Sequence, residues 1–164
     1  EGTYPLPLAQ LDRFMFKVHM TYPPPDDEIR VLAEHHATAG LSASAESGVQ
    51  KVMTKDQLLD ARNVIRETFV REEVIRYVQR LLQATRDDES LTVGASPRAG
   101  LMLIMAAKSL ARFSGRDYVN PDDIKSALLP VMRHRVVLSS SAELEGMTAD
   151  EILSRMIEFV EVPR

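Results

Sequence analysis

The feature that most constrains this sequence is a series of helix-start signals, each followed by apolar residues at helical spacing. Each start pairs a residue that can cap a helix with a proline at the first helical position, or with a carboxamide or carboxylate three residues later. The four starts are Thr54 with Gln57, Ser96 with Pro97, Asn120 with Pro121, and Thr148 with Glu151. Most of the chain is therefore predicted to be a helical bundle.

Two further helices are predicted, one beginning at Asp26 and Asp27 and ending near Gly40, and one beginning near Arg71. The helix after Ser96 should end at Gly115 and is apolar on nearly every side, so we expect it to be the central helix. The helix after Asn120 should run through Leu129, where Pro130 bends or ends it. The residues expected to be buried in the other helices are Ile29, Leu32 and Ala33; Leu58, Ala61, and Val64 or Ile65; Val74, Ile75, Val78, Leu81 and Leu82; and Ile152, Leu153, Met156, Ile157 and Val160.

The first 20 residues differ from the rest. Bulky residues alternate over Phe14–Met20, which predicts a strand, and the prolines of residues 22–25 predict a linker after it. A lone strand is not stable, so its partners should belong to an α/β domain upstream. The predicted fold is mainly α: a helical domain over 22–164, preceded over 1–21 by the strand-bearing end of an α/β domain. Because the sequence also lacks an initiator Met, we interpret it as a piece of a longer protein.

Composition excludes several classes of function. There is no Cys, so disulfide and thiolate chemistry is absent, which suits the cytoplasm. The longest apolar run, Ala99–Ala107, is much shorter than the roughly 20 residues of a membrane helix, so no membrane partner is expected. Net charge is −4, and the arginines at 71, 76, 80 and 86 are accompanied by the acidic residues at 72, 73, 87 and 88. This pattern is typical of a solvated helix face, and no nucleic-acid partner is expected.

Several blocks of sequence, in order and over essentially the whole chain, carry a family resemblance. Glu1–Pro7 with Ala9–Phe14 is similar to the segment after sensor 1 in MoxR-family AAA+ ATPases, and Gly94–Ala99 is similar to that family's sensor 2 motif. Later blocks similar to the lid and tail signatures are Gly115–Val119, Pro121–Ile124, Pro130–Arg135 and Leu144–Glu151. One position departs from the pattern, since Leu8 stands where the family commonly has Glu.

The resemblance implies that residues 1–21 are the end of an AAA+ ATPase core and that residues 22–164 are its helical lid. It also implies ATP hydrolysis with Mg²⁺ in the full-length protein, assembly into a ring, commonly a hexamer, and remodelling of client proteins, among them partners with von Willebrand factor A domains. The resemblance further implies that such remodelling serves protein maturation or metal-cofactor insertion. The sequence contains no G-x-x-x-x-G-K-[ST] loop, so this chain alone should neither hydrolyse ATP nor hold a cofactor.

Two other classes of function stay open. One is a stand-alone helical interaction module without nucleotide chemistry. The other is a nucleic-acid motor with an AAA+ lid, which the acidic balance disfavours. A phosphate-binding loop upstream in the parent sequence would separate the ATPase from the interaction module.

Arg98 is the first candidate site residue. It lies in the first turn of the predicted helix capped by Ser96, where the positive end of the helix dipole makes a cation unfavourable by about 0.3–1 kcal/mol unless an anion joins it. The resemblance makes Arg98 the sensor 2 arginine, with Ser96 and Pro97 beside it at the nucleotide's terminal phosphate. The alternative is an exposed arginine paired with a nearby Asp or Glu.

Arg13 is the second candidate. Its place before the predicted strand resembles that of an arginine finger, which acts in trans on a neighbouring subunit's nucleotide. The alternative is a local ion pair with Asp12 that secures the turn.

The remaining polar clusters have simpler interpretations. Arg133, His134 and Arg135 could contact phosphate or an adjacent subunit, although packing against acidic helix starts is the favoured interpretation. His35 and His36 are adjacent on a helix and point to different faces, so no metal site is predicted. The pair Met102 and Met105 is interpreted as core, and the pair Asp122 and Asp123 as helix-start residues rather than catalytic carboxylates.

Overall fold

The structure, a computed structural model, describes residue 4, residues 6–37 and residues 50–163. The described residues form eight helices and one two-stranded sheet, so the mainly α prediction is confirmed. The helices are α1 Leu8–Leu11, α2 Pro25–Ala37, α3 Lys55–Arg66, α4 Glu72–Asp87, α5 Pro97–Phe113, α6 Pro121–Met132, α7 Ser140–Leu144 and α8 Ala149–Phe159. The strands are β1 Leu91–Val93 and β2 Val137–Leu138.

The chain divides into two compact units. One joins the described residues up to Val18 with those from Asp60 onward, and the other covers the described residues of His19–Leu59. The predicted division of the chain at residue 21 stays a prediction.

The core of the first unit is built from α4, α5, α6 and α8. Helix α5 lies at its centre, in contact with both α4 and α6, as predicted. Its small buried residues let the neighbouring helices approach closely, and a Cβ at Gly100 would lie 2.8 Å from a methyl carbon of Leu82 on α4. Burial of an aliphatic side chain such as Leu103, which is completely buried, stabilises the fold by about 1.5–3 kcal/mol.

The predicted helix ends are formed by the expected caps. The Ser96 hydroxyl accepts a hydrogen bond from the Ala99 amide at 3.3 Å, and Asn120 and Thr148 each form a complete capping box. At the end of α5, Gly115 adopts a φ of +74°, the left-handed conformation that glycine accepts without steric cost. Pro130 does not end α6, which continues to Met132.

The structure contains a short sheet and a short helix that the sequence analysis did not predict. Strands β1 and β2 pair in antiparallel orientation across the first unit, and α7 follows β2 directly. Both strands are too short to show a period of two, so the sequence pattern does not predict them.

The strand predicted over Phe14–Met20 is wrong, because that segment carries no regular strand in the structure. Side chains and backbone of the 130–135 region bond to its backbone instead of a neighbouring strand. The Lys17 amide donates to the Pro130 carbonyl at 2.9 Å, and the Phe14 carbonyl accepts from His134 and Arg135. Alternation of bulky residues predicted an extended segment but could not identify what pairs with it.

The second unit carries α2, whose predicted burial is wrong. Helix α2 begins at Pro25 as the acidic residues suggested, while its predicted end at Gly40 lies outside the described residues. Ile29 and Leu32 are more than 60% exposed in the described structure. Their helical spacing indicated a helix correctly but did not indicate a core.

Helix α3 also buries less than its pattern suggested. The capping box at its start forms, with the Gln57 amide and the Thr54 hydroxyl 3.2 Å apart. None of its residues is fully buried: Leu58 and Val64 are exposed, and Ala61 and Ile65 are half-buried.

Candidate functional site

Arg98 is the second residue of α5 and is exposed. Its side chain forms no hydrogen bond or ion pair with any residue that the structure describes. The alternative of a pairing with a nearby carboxylate is therefore not realised here. A guanidinium left without a partner at the positive end of a helix is available to an anion.

The loop that leads into α5 is held against α4 by backbone contacts. The Ala95 amide donates to the Thr85 hydroxyl at 2.9 Å, and the Arg86 guanidinium donates to the Ala95 carbonyl at 3.1 Å. A Cβ at Gly94 would lie 2.6 Å from the Thr85 carbonyl oxygen, so the loop needs glycine at this position to come so close. The base of Arg98 is thus fixed to α4.

Arg13 follows the short helix α1 and is also exposed, without a side-chain partner among the described residues. The predicted alternative, an ion pair with Asp12, is wrong, because the Asp12 carboxylate is occupied elsewhere. It accepts from Arg135 Nε at 3.0 Å and from the Ser96 hydroxyl at 3.1 Å. The first candidate, Arg98, and the second, Arg13, are therefore linked through the hydrogen bond between Asp12 and Ser96.

Arg135 holds the loop around Arg13 through contacts that the sequence pattern does not indicate. Its side chain is completely buried, and its ion pair with Asp12 spans 123 residues of sequence. Burial lowers the pKa of its guanidinium, while hydrogen bonding to Asp12 opposes that shift. The only local signal was its place in a run of basic residues, which does not reveal a partner so distant in sequence.

The two preceding residues also bond to the 12–18 segment. Arg133 donates to Asp150 at the start of α8, as predicted for packing against an acidic helix start, and also to the Lys17 carbonyl. His134 Nε2 lies 2.9 Å from the Phe14 carbonyl oxygen, so this nitrogen carries the proton, and Nδ1 is buried without a partner. Burial lowers the pKa of His134, and the positive charges of Arg135 and Lys17 lower it further.

Asp123 belongs to the structural framework. Its carboxylate accepts two hydrogen bonds from the Arg116 guanidinium, at 2.6 and 2.8 Å, and one from the Asn120 amide at 2.9 Å. This full set of donors fits the helix-start role predicted for Asp123. Met102 packs against the core as predicted. The same prediction is wrong for Met105, which is 36% exposed.

Two surface clefts, of about 230 and 330 Å³, lie beside the C-terminal segment around Pro163, and neither is lined by Arg13 or Arg98. Among the described residues, no three His, Asp or Glu side chains gather as a metal ion would require. Within the same residues, no helix combines the length and the apolar character needed to cross a bilayer.

Comparison with known proteins gives a consistent result. Residues 83–156 match the AAA lid domain family. The whole chain is 35% identical to the chaperone MoxR1 of Mycobacterium tuberculosis, of which it covers 44%, and 99% of it is 34% identical to the uncharacterized protein YeaC of Bacillus subtilis, of which it covers 49%.

The same relationship appears among solved structures. A candidate ATPase from Cytophaga hutchinsonii superposes on the entire chain with a TM-score of 0.85 and 35% sequence identity, and the chain covers 51% of it. The chain spans about half the length of the curated relatives that it matches.

Proposed function

This chain belongs to the MoxR family of AAA+ ATPases, and we propose that it forms the end of the nucleotide-binding core and the lid of an enzyme that hydrolyses ATP. The core part is proposed to reach residue 21 and the lid to cover 22–164. The observation that carries the proposal is a pair of exposed, unpartnered arginines, Arg13 and Arg98, linked by the Asp12–Ser96 hydrogen bond.

In this proposal Arg98, with Ser96 and Pro97 beside it, contacts the terminal phosphate of ATP bound by its own subunit. The residues fit a phosphate, because the guanidinium has no other partner and the Arg98 amide lies in the first turn of α5, where backbone N–H groups lack helical acceptors. Arg98 would orient the phosphate and stabilise the charge that develops on it.

Arg13 is proposed to contact the nucleotide of a neighbouring subunit, which requires a ring, and we propose a hexamer. When bound, ATP with Mg²⁺ supplies the phosphoryl group and the metal charge that polarises it. Among the residues that the structure describes, no three His, Asp or Glu side chains are grouped as a site for Mg²⁺.

The proposed outcome of hydrolysis is the remodelling of client proteins during maturation or assembly in the cytoplasm. The name of the mycobacterial relative, a chaperone, supports this role. Partners with von Willebrand factor A domains are proposed as clients by family resemblance.

Substitution of the two arginines tests the proposed function in the ATPase that carries this chain. We expect Arg98→Ala to lower the ATP turnover rate by about 10²-fold, the usual effect of losing one preorganised donor to developing charge. We expect Arg13→Ala to lower it by roughly 10³-fold, and only in the assembled ring. The matched control is Arg76→Ala, which removes an exposed arginine whose ion pair, among the described residues, is with Glu72. Turnover equal to that of the control in both variants would remove the assigned roles.

A binding measurement tests whether the 164-residue chain can bind ATP without a phosphate-binding loop. We expect the 164-residue chain to bind ATP too weakly for calorimetry in the micromolar range, because the sequence has no phosphate-binding loop. Low-micromolar affinity would contradict this. A parent sequence without such a loop would favour the stand-alone interaction module.

A further inference from the structure

We propose that Arg135 is a positioning residue that fixes the bases of Arg13 and Arg98 relative to each other. The proposal rests on the function proposed above, since it concerns the same two arginines. Arg135 itself would contact neither nucleotide, but it would fix the backbone from which the side chains of Arg13 and Arg98 extend.

The first observation is that all five N–H groups of Arg135 have acceptors. Nε donates to the Asp12 carboxylate, and the terminal nitrogens donate to backbone carbonyls. Those carbonyls belong to Asp12, Phe14, Met15 and Val131. Four of the five acceptors thus lie in residues 12–15, on both sides of Arg13. Arg135 therefore fixes the backbone from which the Arg13 side chain extends.

The second observation is that the same guanidinium reaches Arg98 through Asp12 and Ser96. The Ser96 hydroxyl donates to the Asp12 carboxylate and accepts from the Ala99 amide inside α5. A carboxylate at this end of α5 is also favoured by the helix dipole. The path from Arg135 to the first turn of α5 is thus continuous, with each heavy-atom distance along it between 3.0 and 3.3 Å.

The third observation is that this network leaves the two candidate side chains free. Neither Arg13 nor Arg98 forms a side-chain hydrogen bond with the described residues, while the backbone at Arg13 and the cap of Arg98 are both held. Asp12 neutralises the buried charge of Arg135. Within this network, the unpaired positive charges are therefore those of Arg13 and Arg98, and an unpaired positive charge is what attracts a phosphate.

The chemistry requires arginine at this position. A lysine keeps the charge but offers three N–H donors from one nitrogen, whereas the planar fork of arginine serves acceptors in several directions. Arg135→Lys should consequently preserve the pairing with Asp12 while releasing part of the 12–15 backbone.

The test is performed in the ATPase that carries this chain, with turnover and the KM for ATP measured for Arg135→Lys. We expect kcat to fall by about 10- to 100-fold, because small misplacement of catalytic groups has effects of this size. We expect KM to stay within about twofold, since Arg135 does not itself contact ATP and the two arginines it positions are proposed to act mainly on the charge that develops in the transition state. The matched control is Arg133→Gln, which loses the contacts of Arg133 to Asp150 and to the Lys17 carbonyl but has no bond to Asp12 or Ser96. Its kcat should stay near that of the parent enzyme.

A double-variant comparison separates positioning from general stabilisation. If Arg135 acts through Arg13, the kcat loss caused by Arg135→Lys should shrink when Arg13→Ala is already present, because coupled residues are not additive. An equal loss in both backgrounds would overturn the proposal, as would parental kcat in Arg135→Lys. If Arg135→Lys does not fold, Asp12→Asn replaces it, with a smaller kcat loss that shrinks in the same way. Parental kcat in Asp12→Asn would then overturn the proposal.

These outcomes are distinct from failure of the proposed function. If Arg13→Ala and Arg98→Ala keep the turnover of the control, the function itself is wrong. If those two variants lose turnover but Arg135→Lys does not, only the positioning role is wrong.

Discussion

Helices α3 and α8 begin in the same way and end up in different environments. Both start with a threonine capping box, at Thr54 and Thr148, and both carry apolar residues at helical spacing. Helix α8 buries Ile152, Leu153 and Met156 against the core, whereas α3 buries none of its residues fully in the described structure. The difference teaches that capping is a local property, while burial depends on partners that a helix pattern does not name.

The largest expected effect is a change in the free energy of unfolding, and it distinguishes a leucine of α8 from a leucine of α3. Leu153 on α8 is 1% exposed and Leu58 on α3 is 54% exposed. We expect Leu153→Ala to lower the free energy of unfolding by about 2–5 kcal/mol, because it leaves a cavity in the core. Leu58→Ala should change it by less than about 0.5 kcal/mol. Urea denaturation of the 164-residue chain measures both, and equal destabilisation would show that α3 is packed as tightly as α8.

The next effect compares the two caps. Thr148→Ala should lower the free energy of unfolding by about 1 kcal/mol, because a helix cap of the packed core is lost. Thr54→Ala should leave the main unfolding transition in place and speed hydrogen exchange of amides at the start of α3. Exchange followed by NMR resolves the two sites. A full 1 kcal/mol loss of global stability in Thr54→Ala would break the distinction between the two helices.

The smallest expected effect is a pH dependence of the free energy of unfolding that arises from His134, a buried residue of the first unit. Burial lowers the pKa of His134 below its usual 6.5, so the folded chain resists its protonation. Below about pH 6.5 the unfolded chain binds a proton that the folded chain does not, and stability falls as the pH drops. This contribution is fully present above pH 6.5.

Thermal unfolding measured between about pH 7.5 and about pH 5 checks the sign. His134→Gln should lose the part of the pH dependence that lies in this window, because glutamine keeps an amide donor toward the Phe14 carbonyl and does not titrate. An identical slope in both proteins would assign the pH dependence to other groups.

The sequence predicted the features that are formed by residues close together in the chain, such as helix caps and helix ends. The caps at Ser96, Asn120 and Thr148 and the stop at Gly115 are all local, because each involves residues within a few positions of one another. The predicted buried face of α4 is confirmed at Val74, Val78, Leu81 and Leu82. Ile75 was also predicted to be buried, but it is 47% exposed.

The sequence did not predict what depends on distant partners. The alternation over residues 14–20 suggested a strand because nothing in the sequence indicates that Arg135 and its neighbours occupy that backbone. The Asp12–Arg135 pair escaped notice for the same reason, and with it the outcome that Asp12 does not pair with Arg13. The roles of Arg13 and Arg98 remain predictions from family resemblance.

Gly94 has a mechanical consequence. Since any side chain there would collide with α4, the loop before α5 has no slack with which to absorb a displacement. We therefore expect a ligand that contacts Arg98 to act on α4 as well as on α5, because the loop between the two helices is hydrogen-bonded to α4. A side chain at position 94 would push the loop away from α4 and so weaken this connection between Arg98 and the core.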